Sequence, residues 1–249
     1  MSGSSLRAIF LVAAVTVVAG VCVRLGFWQL DRLETRRASN ARILAAAELP
    51  PLVLDRAGLD SIAEFPDRNL FRQAVATGVF ETDDEVILRG RSHDGRPGVH
   101  LVTPFRLDSG GLILVNRGWL PSPDAASADP RPYRDAGHTR LVGSLQLLPR
   151  STEDSSPLIL EVDGYPVRTF RRLDADSIAA LTGESLPPLY LQLLPGLMDS
   201  PATPPIPVPL PSLDEGPHLG YAIQWFSFAA IAVLGLTIVA WRGKVRKKQ

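Results

Sequence analysis

The chain has 249 residues, 45% of them hydrophobic, with 26 basic against 26 acidic side chains and a single cysteine; that is long enough for one sizeable domain with additions, and too apolar for a wholly disordered chain. The lone Cys22 excludes an internal disulfide framework, an iron–sulfur cluster held by several thiolates and any paired-cysteine redox or metal motif. Charge balances only in sum: 15 basic and 24 acidic residues lie between Ile43 and Trp241, a net charge of −9 that repels a phosphate backbone and argues against nucleic acid as a partner.

The first element starts at Ala8. Ala8 to Val23, AIFLVAAVTVVAGVCV, carries no charge, and after Arg24 the apolar run resumes as LGFWQL. At about 1.5 Å per residue, a helix from Ala8 to Leu30 reaches about 34 Å, enough to cross a bilayer if the Arg24 side chain extends to the headgroups. A cleaved secretory signal is the competing reading, since Arg7 precedes an apolar core of nearly the right length. No small-x-small cleavage site stands before Arg24, and Val21 is a poor residue to precede a lipoprotein cysteine. A retained transmembrane helix over residues 8–30 is therefore expected.

Residues 31–217 then form an extracytoplasmic domain. FRQAVATGVF, residues 71–80, alternates apolar and polar residues, and EVILRGR follows after the turn-like ETDD. HLVTPFRL, the Asp108–Gly111 turn and LILVNRGWLP predict a β-hairpin; TRLVGSLQLL and LYLQLLP are further strands. One helix is expected from about Asp174 to Leu181, capped by Asp174 or Asp176 and closed by Gly183. Residues 121–138 read as a loop. Residues 187–217 hold ten prolines, which remove backbone donors and favour an extended return path across the domain surface. The fold class that follows is a mainly antiparallel β domain, barrel-like or sandwich-like, with one short helix.

A second transmembrane helix spans residues 218–241. Tyr221 to Trp241 is uncharged with aromatic residues at both ends, and the basic tail, residues 242–249, marks the cytoplasmic side. The arginines between Arg24 and Arg42 weigh the other way, but the tail is the denser cluster. The expected protein is two-pass in the cell membrane, with both termini cytoplasmic.

No phosphate-binding glycine loop, nucleophile elbow or zinc-protease helix is present. His93 and Asp94, in RSHDGRPG, and His100 would serve a metal or catalytic site only with a third converging ligand; an exposed polar turn is the plainer reading. His218 stands where the second span begins, and at helical spacing His218, Tyr221 and Trp225 fall at i, i+3 and i+7. Trp28, Gln29 and Arg32 leave the first span at the same depth, and Gly20, Gly26 and Gly220 would let the helices approach. An imidazole among apolar and aromatic faces, with Arg24, Arg32 and Arg36 near the headgroups, has the ingredients of a haem site, whereas an ordinary aromatic belt with an interfacial histidine would look the same in composition.

At these residues the chain resembles the surfeit locus protein family, membrane assembly factors for cytochrome c oxidase. GFWQLDRLETR, FRQAVATGVF, RGR followed by GVHLVTPF, LVNRGWLP and PHLGYAIQWF carry the resemblance in the family's order, from one apolar helix to the other. It is poor over residues 121–139 and 149–211. Thr35 and Arg36 stand where many relatives have a Trp-Lys pair, which keeps the charge and removes an aromatic. The resemblance implies a non-enzymatic role in oxidase maturation, handling haem a or the haem-loaded subunit I, with subunit I and other assembly factors as partners. It implies haem a contact by His218, with Trp28, Gln29, Arg32, Tyr221 and Trp225 as further cofactor-binding candidates, and it marks Asn116, Arg117 and Trp119 as candidate partner-binding residues. On a regular strand, Arg117 and Trp119 would share one face. A cofactor-free scaffold that grips subunit I is the alternative. A membrane-anchored hydrolase or metal protein centred on His93, Asp94 and His100 is the second alternative.

Overall fold

The computed structural model describes residues 3–134, 137–150, 156–195 and 203–246, and it divides into two compact units, Met1–Arg42 with Ser212–Gln249, and Ile43–Pro211. The first unit is a pair of long helices, α1 (Gly3–Glu48) and α5 (His218–Arg246). Ile9–Glu48 and His218–Arg242 are long and apolar enough to cross a membrane, and little of either is buried in the protein. Phe10, Val17, Ile231 and Val239 stand more than half exposed. Residues 247–249, the end of the expected basic tail, lie outside the described residues; from Arg242 to Arg246 the chain is still helical.

The sequence reading ended the first helix at Leu30 and began the outer domain at Asp31, and the structure corrects both. Residues 31–48, DRLETRRASNARILAAAE, contain neither proline nor glycine and are rich in strong helix formers, so the helix continues until Pro50 and Pro51 forbid it. Apolar length measures where a bilayer ends; it does not say where a helix ends.

The second unit holds β1 (Leu52–Val53), α2 (Arg56–Glu64), α3 (Pro66–Asn69), β2 (Gln73–Phe80), β3 (Val86–His93), β4 (Arg96–Leu107), β5 (Leu112–Pro121), β6 (Thr139–Leu147), β7 (Leu158–Val162), β8 (Tyr165–Phe170), α4 (Ala175–Thr182) and β9 (Leu189–Leu193). The sheet order is β1-β2-β6-β9-β5-β4-β3-β8-β7, and β2 also pairs with β4, so β2, β6, β9, β5 and β4 close into a ring. The pairs β1–β2, β3–β8 and β5–β9 are parallel and the rest antiparallel, so the sheet is mixed but mainly antiparallel, with the barrel-like closure expected of alternating short strands. Phe105, Ile113, Val115, Leu141, Leu145, Leu189 and Leu191 fill one continuous core with Ile62 of α2. A second core lies where Ile178 of α4 meets Leu88, Val102, Leu114 and Phe170.

α4 forms where its caps predict: the Asp174 side chain accepts from the Ser177 N–H at 2.9 Å, and Gly183 closes it in the left-handed region at φ 72°. Two features escaped the pattern reading. α2 is only nine residues long and contains Gly58, which its packing requires, because a Cβ there would stand 2.1 Å from the Val53 carbonyl oxygen. β7 and β8 are short, and their signal is the Asp163–Gly164 dipeptide, with φ of 50° and 72°, joining Val162 to its partner Tyr165. The proline-rich stretch is also not uniformly irregular. β9 lies inside it, between β6 and β5, because Leu189 to Leu193 precedes the dense prolines.

Candidate functional site

In the helix pair, burial follows a heptad stripe. Within the first unit the buried positions of α1 are Ala19, Cys22, Gly26, Gln29, Leu33 and Asn40; along α5, His218, Ala222, Trp225, Ala229, Ala232 and Leu236 are buried or half-buried, with Phe226 beside them. Steps of three and four residues keep one side of each helix facing the other. Gly26 is the point of closest approach: a Cβ there would meet the Phe226 ring at 2.6 Å, and Phe27 meets the same ring edge-on with centroids 5.4 Å apart. Gly20 and Gly220, also expected to allow approach, have nothing within 4 Å of where a Cβ would stand.

Just before α5, the turn Ser212–Gly216 is held by α1. Arg36 donates to the carbonyls of Ser212 (2.8 Å) and Asp214 (3.1 Å), Asn40 donates to the Leu213 carbonyl (2.7 Å), and Arg37 makes a two-pronged pair with Glu215 (2.8 and 2.7 Å). The Asp214 side chain accepts from the Gly216 N–H at 2.9 Å and from the Ser212 hydroxyl. Arg36 thus works as a strut, not as a cation left over for a ligand. Sequence reasoning missed Asn40 and this turn; the signal was an asparagine on the apolar stripe of a helix.

The turn delivers His218 to Gln29. The Nδ1 of His218 lies 2.9 Å from Oε1 of Gln29, whose side chain is buried, and Nε2 of His218 makes no hydrogen bond among the described residues. Of the other candidates, Trp225 is half-buried and edge-on to Phe228, with centroids 5.9 Å apart. Trp28 is 42% exposed under the Arg32 guanidinium, 5.6 Å from its ring centroid, and Tyr221 is 48% exposed. Tyr221 therefore flanks the stripe instead of lying on it. His218, Ala222 and Trp225 step by four and three along the contact with α1, and position 221 falls outside that step.

In the second unit, Asn116, Arg117 and Trp119 are all buried, at 2%, 9% and 3% exposure. The expected alternation fails at Arg117: Leu101 pairs with Gly118 while Val102 pairs with Asn116, so Arg117 is the extra residue of a β-bulge. Its guanidinium lies over the Phe80 ring, 4.5 Å from the centroid, while Trp119 stacks near His93 at 5.4 Å and under Arg96 at 5.7 Å. Asn116 binds the Gly118 N–H through Oδ1 (3.1 Å) and approaches Nδ1 of His100 at 3.3 Å. Gly118, at φ 130°, lets the return segment lie against β5: Ile206 and Trp119 exchange backbone hydrogen bonds of 2.7 and 2.9 Å. The Gln192 amide holds the same segment through the Val208 carbonyl at 3.1 Å.

The SURF1 family model matches residues 16–230, from within the first apolar helix to about midway along the second. This chain belongs to the SURF1 family. An uncharacterised SURF1-like protein of Mycobacterium bovis is 30% identical over 227 residues, covering 89% of this chain and 79% of its own length. SURF1-like proteins of Monosiga brevicollis and Rickettsia bellii are 28% and 25% identical, covering 88% and 86% of this chain and 84% of their own lengths in each case.

In this SURF1 chain His93 and His100 of the second unit have structural surroundings. Asp94 and Gly95, with φ of 49° and 74°, form the two-residue loop joining His93 to its partner Arg96, a geometry that suits Asp-Gly and gives the dipeptide its reason to be there. No group of three or more His, Cys, Asp or Glu that could hold a metal ion occurs among the described residues. The His100 imidazole is held down to about 4, chiefly by burial and then by the charges of Arg91 and His93, from an ordinary value of 6.5. It is neutral in the fold, while the unfolded chain takes up a proton near 6.5. Stability is therefore full above about pH 6.5 and falls as pH drops towards 4, by about 3 kcal/mol. Thermal unfolding of the detergent-solubilised protein is expected to show this loss, and His100→Gln to flatten it; an unchanged slope in the variant would assign the acid sensitivity to other groups.

Proposed function

We propose that this chain is a two-pass, membrane-anchored assembly factor for haem-copper cytochrome c oxidase, with a non-catalytic role: it binds haem a, or assists its placement in subunit I. Membership of the SURF1 family supports the class of role. The observation that carries the haem reading is His218. Its Nδ1 is occupied by a buried glutamine, its Nε2 is not hydrogen-bonded within the described residues, and the neighbouring Gly216 has no side chain where a Cβ would stand 3.6 Å from that Nε2. An imidazole with one nitrogen satisfied and the other without a hydrogen bond is a donor that would suit haem iron, so His218 would be the residue to hold the metal. Tyr221, three residues after His218, and Trp28, next to Gln29, are exposed and would supply ring surface, and Arg32, resting on Trp28, would supply a cation for a propionate. When bound, the haem brings its own redox and ligand chemistry; the protein holds it, orients it and keeps water from it.

Subunit I and other oxidase assembly factors are the proposed partners, and the lipid bilayer surrounds the helix pair. The dense basic tail supports both termini being cytoplasmic, with a reporter fused at Ser127 reading the opposite side. Protein purified in mild detergent from cells that make haem a is expected to carry a haem a absorption spectrum. Complete absence of haem, with subunit I still co-purifying, would favour the cofactor-free scaffold.

A further inference from the structure

We propose that Gln29 is a positioning residue for His218: it fixes which ring nitrogen carries the proton and so which one faces a ligand. The inference rests on the reading of His218 as the haem ligand, but its geometry stands apart from any haem. Gln29 is buried at 9% exposure on the stripe where α1 meets α5, and the side-chain hydrogen bond there is from His218 at 2.9 Å. A glutamine carbonyl oxygen can only accept, so Nδ1 must donate, and the proton of the neutral imidazole resides on Nδ1. Nε2 is left as the lone-pair nitrogen. A free histidine favours the other tautomer, so the buried amide reverses an intrinsic preference and presets the atom that binds a metal. The ring plane is fixed at the same time, because the turn that leads into His218 is tied to α1 through Arg36, Arg37 and Asn40.

The seam also excludes Gln29 from direct haem contact. Its carbonyl is spent on His218 and its side chain is covered, which separates its role from that of the exposed Trp28 next to it. The chemistry selected is an iron-bearing tetrapyrrole over its metal-free counterpart, since the oriented lone pair has nothing to bind in the latter.

Nitrogen-15 spectra of histidine-labelled full-length protein in detergent test this without haem. The chain has 4 histidines, and the His218 signals are those lost in His218→Ala. A proton-bearing Nδ1 and a lone-pair Nε2 are expected in the parent, retained in Gln29→Glu and lost in Gln29→Leu. A proton-bearing Nε2 in the parent overturns the proposal whatever haem does. In the haem-loaded protein, Gln29→Leu is expected to weaken retention about tenfold or more and to alter the spectrum, with Gln29→Glu restoring it. Unchanged affinity and spectrum in Gln29→Leu, where His218→Ala loses haem, overturns the positioning role alone. Haem binding undisturbed by His218→Ala overturns the reading beneath it, while the tautomer result stands or falls by its own measurement.

Discussion

His218→Ala, purified from cells that make haem a, is expected to lose most of the haem that accompanies the parent and to change the absorption of what remains. The imidazole Nε2 is the proposed axial donor, and alanine has nothing to replace it. Alanine suits the first position of a helix, so α5 should still form. The substitution has one structural cost: it leaves the buried Gln29 carbonyl without the donor it has at 2.9 Å, at about 1–2 kcal/mol. Abundance and membrane insertion therefore have to be followed beside the spectrum. A double variant, Gln29→Leu with His218→Ala, removes that orphaned group and should recover stability without recovering haem. Full haem occupancy in either variant would remove His218 from the site.

Gly118→Ala is expected to destabilise the β-sheet unit by about 3 kcal/mol or more, lowering its unfolding temperature by about 10 °C. Two effects add. The backbone there has φ 130°, which residues with a side chain rarely adopt, and a Cβ would stand 2.2 Å from the Ile206 carbonyl oxygen. The chain cannot simply move aside, because Ile206 is hydrogen-bonded in both directions to Trp119. The return segment would have to lift from β5, and protease sensitivity around Ile206 should rise with the loss of stability. Gly110→Ala separates the two effects: Gly110 has φ 84° but nothing within 4 Å of a Cβ, so only backbone strain is introduced and about 1 kcal/mol is lost. Equal losses in the two variants would show that the close approach of the return segment contributes nothing.

What could be read from sequence was whatever depends on a few neighbouring residues. The two apolar helices follow from hydropathy, the β4–β5 hairpin from alternation around the Asp108–Gly111 turn, and α4 from Asp174 and Gly183 at its ends. The pieces that could not be read depend on distant residues. Nothing local to LVNRGWLP announces that Arg117 is a bulge, because the extra residue exists only relative to β4, and Gly118 is explained only by Ile206, far along the chain. The depth argument placed Gln29 and His218 at one level but treated both as ligand contacts. That the two side chains bond each other depends on which side of α1 meets α5, and that is set by the alignment of two stripes distant in sequence. The three-residue step grouped Tyr221 with His218 and Trp225, whereas the side of α5 that meets α1 carries Ala222 and leaves Tyr221 exposed.

The helix pair has a further property in the small size of what lines it. Ala19, Ala222 and Ala229 offer close backbone approach but little interlocking shape, so the alanine part of the seam sets its vertical alignment only weakly, and the Phe226 ring over Gly26 is the one shaped contact beside them. The polar pair adds a directional constraint to that contact and to the ties from Arg36, Arg37 and Asn40. Sliding α5 by a turn would carry the His218 donor roughly 5.4 Å along the axis from Gln29 and strand both groups in an apolar surround, which a shift of alanines alone would not penalise. Gln29 and His218 thus act as an index mark for the two helices of this chain, setting the height of the imidazole along α1.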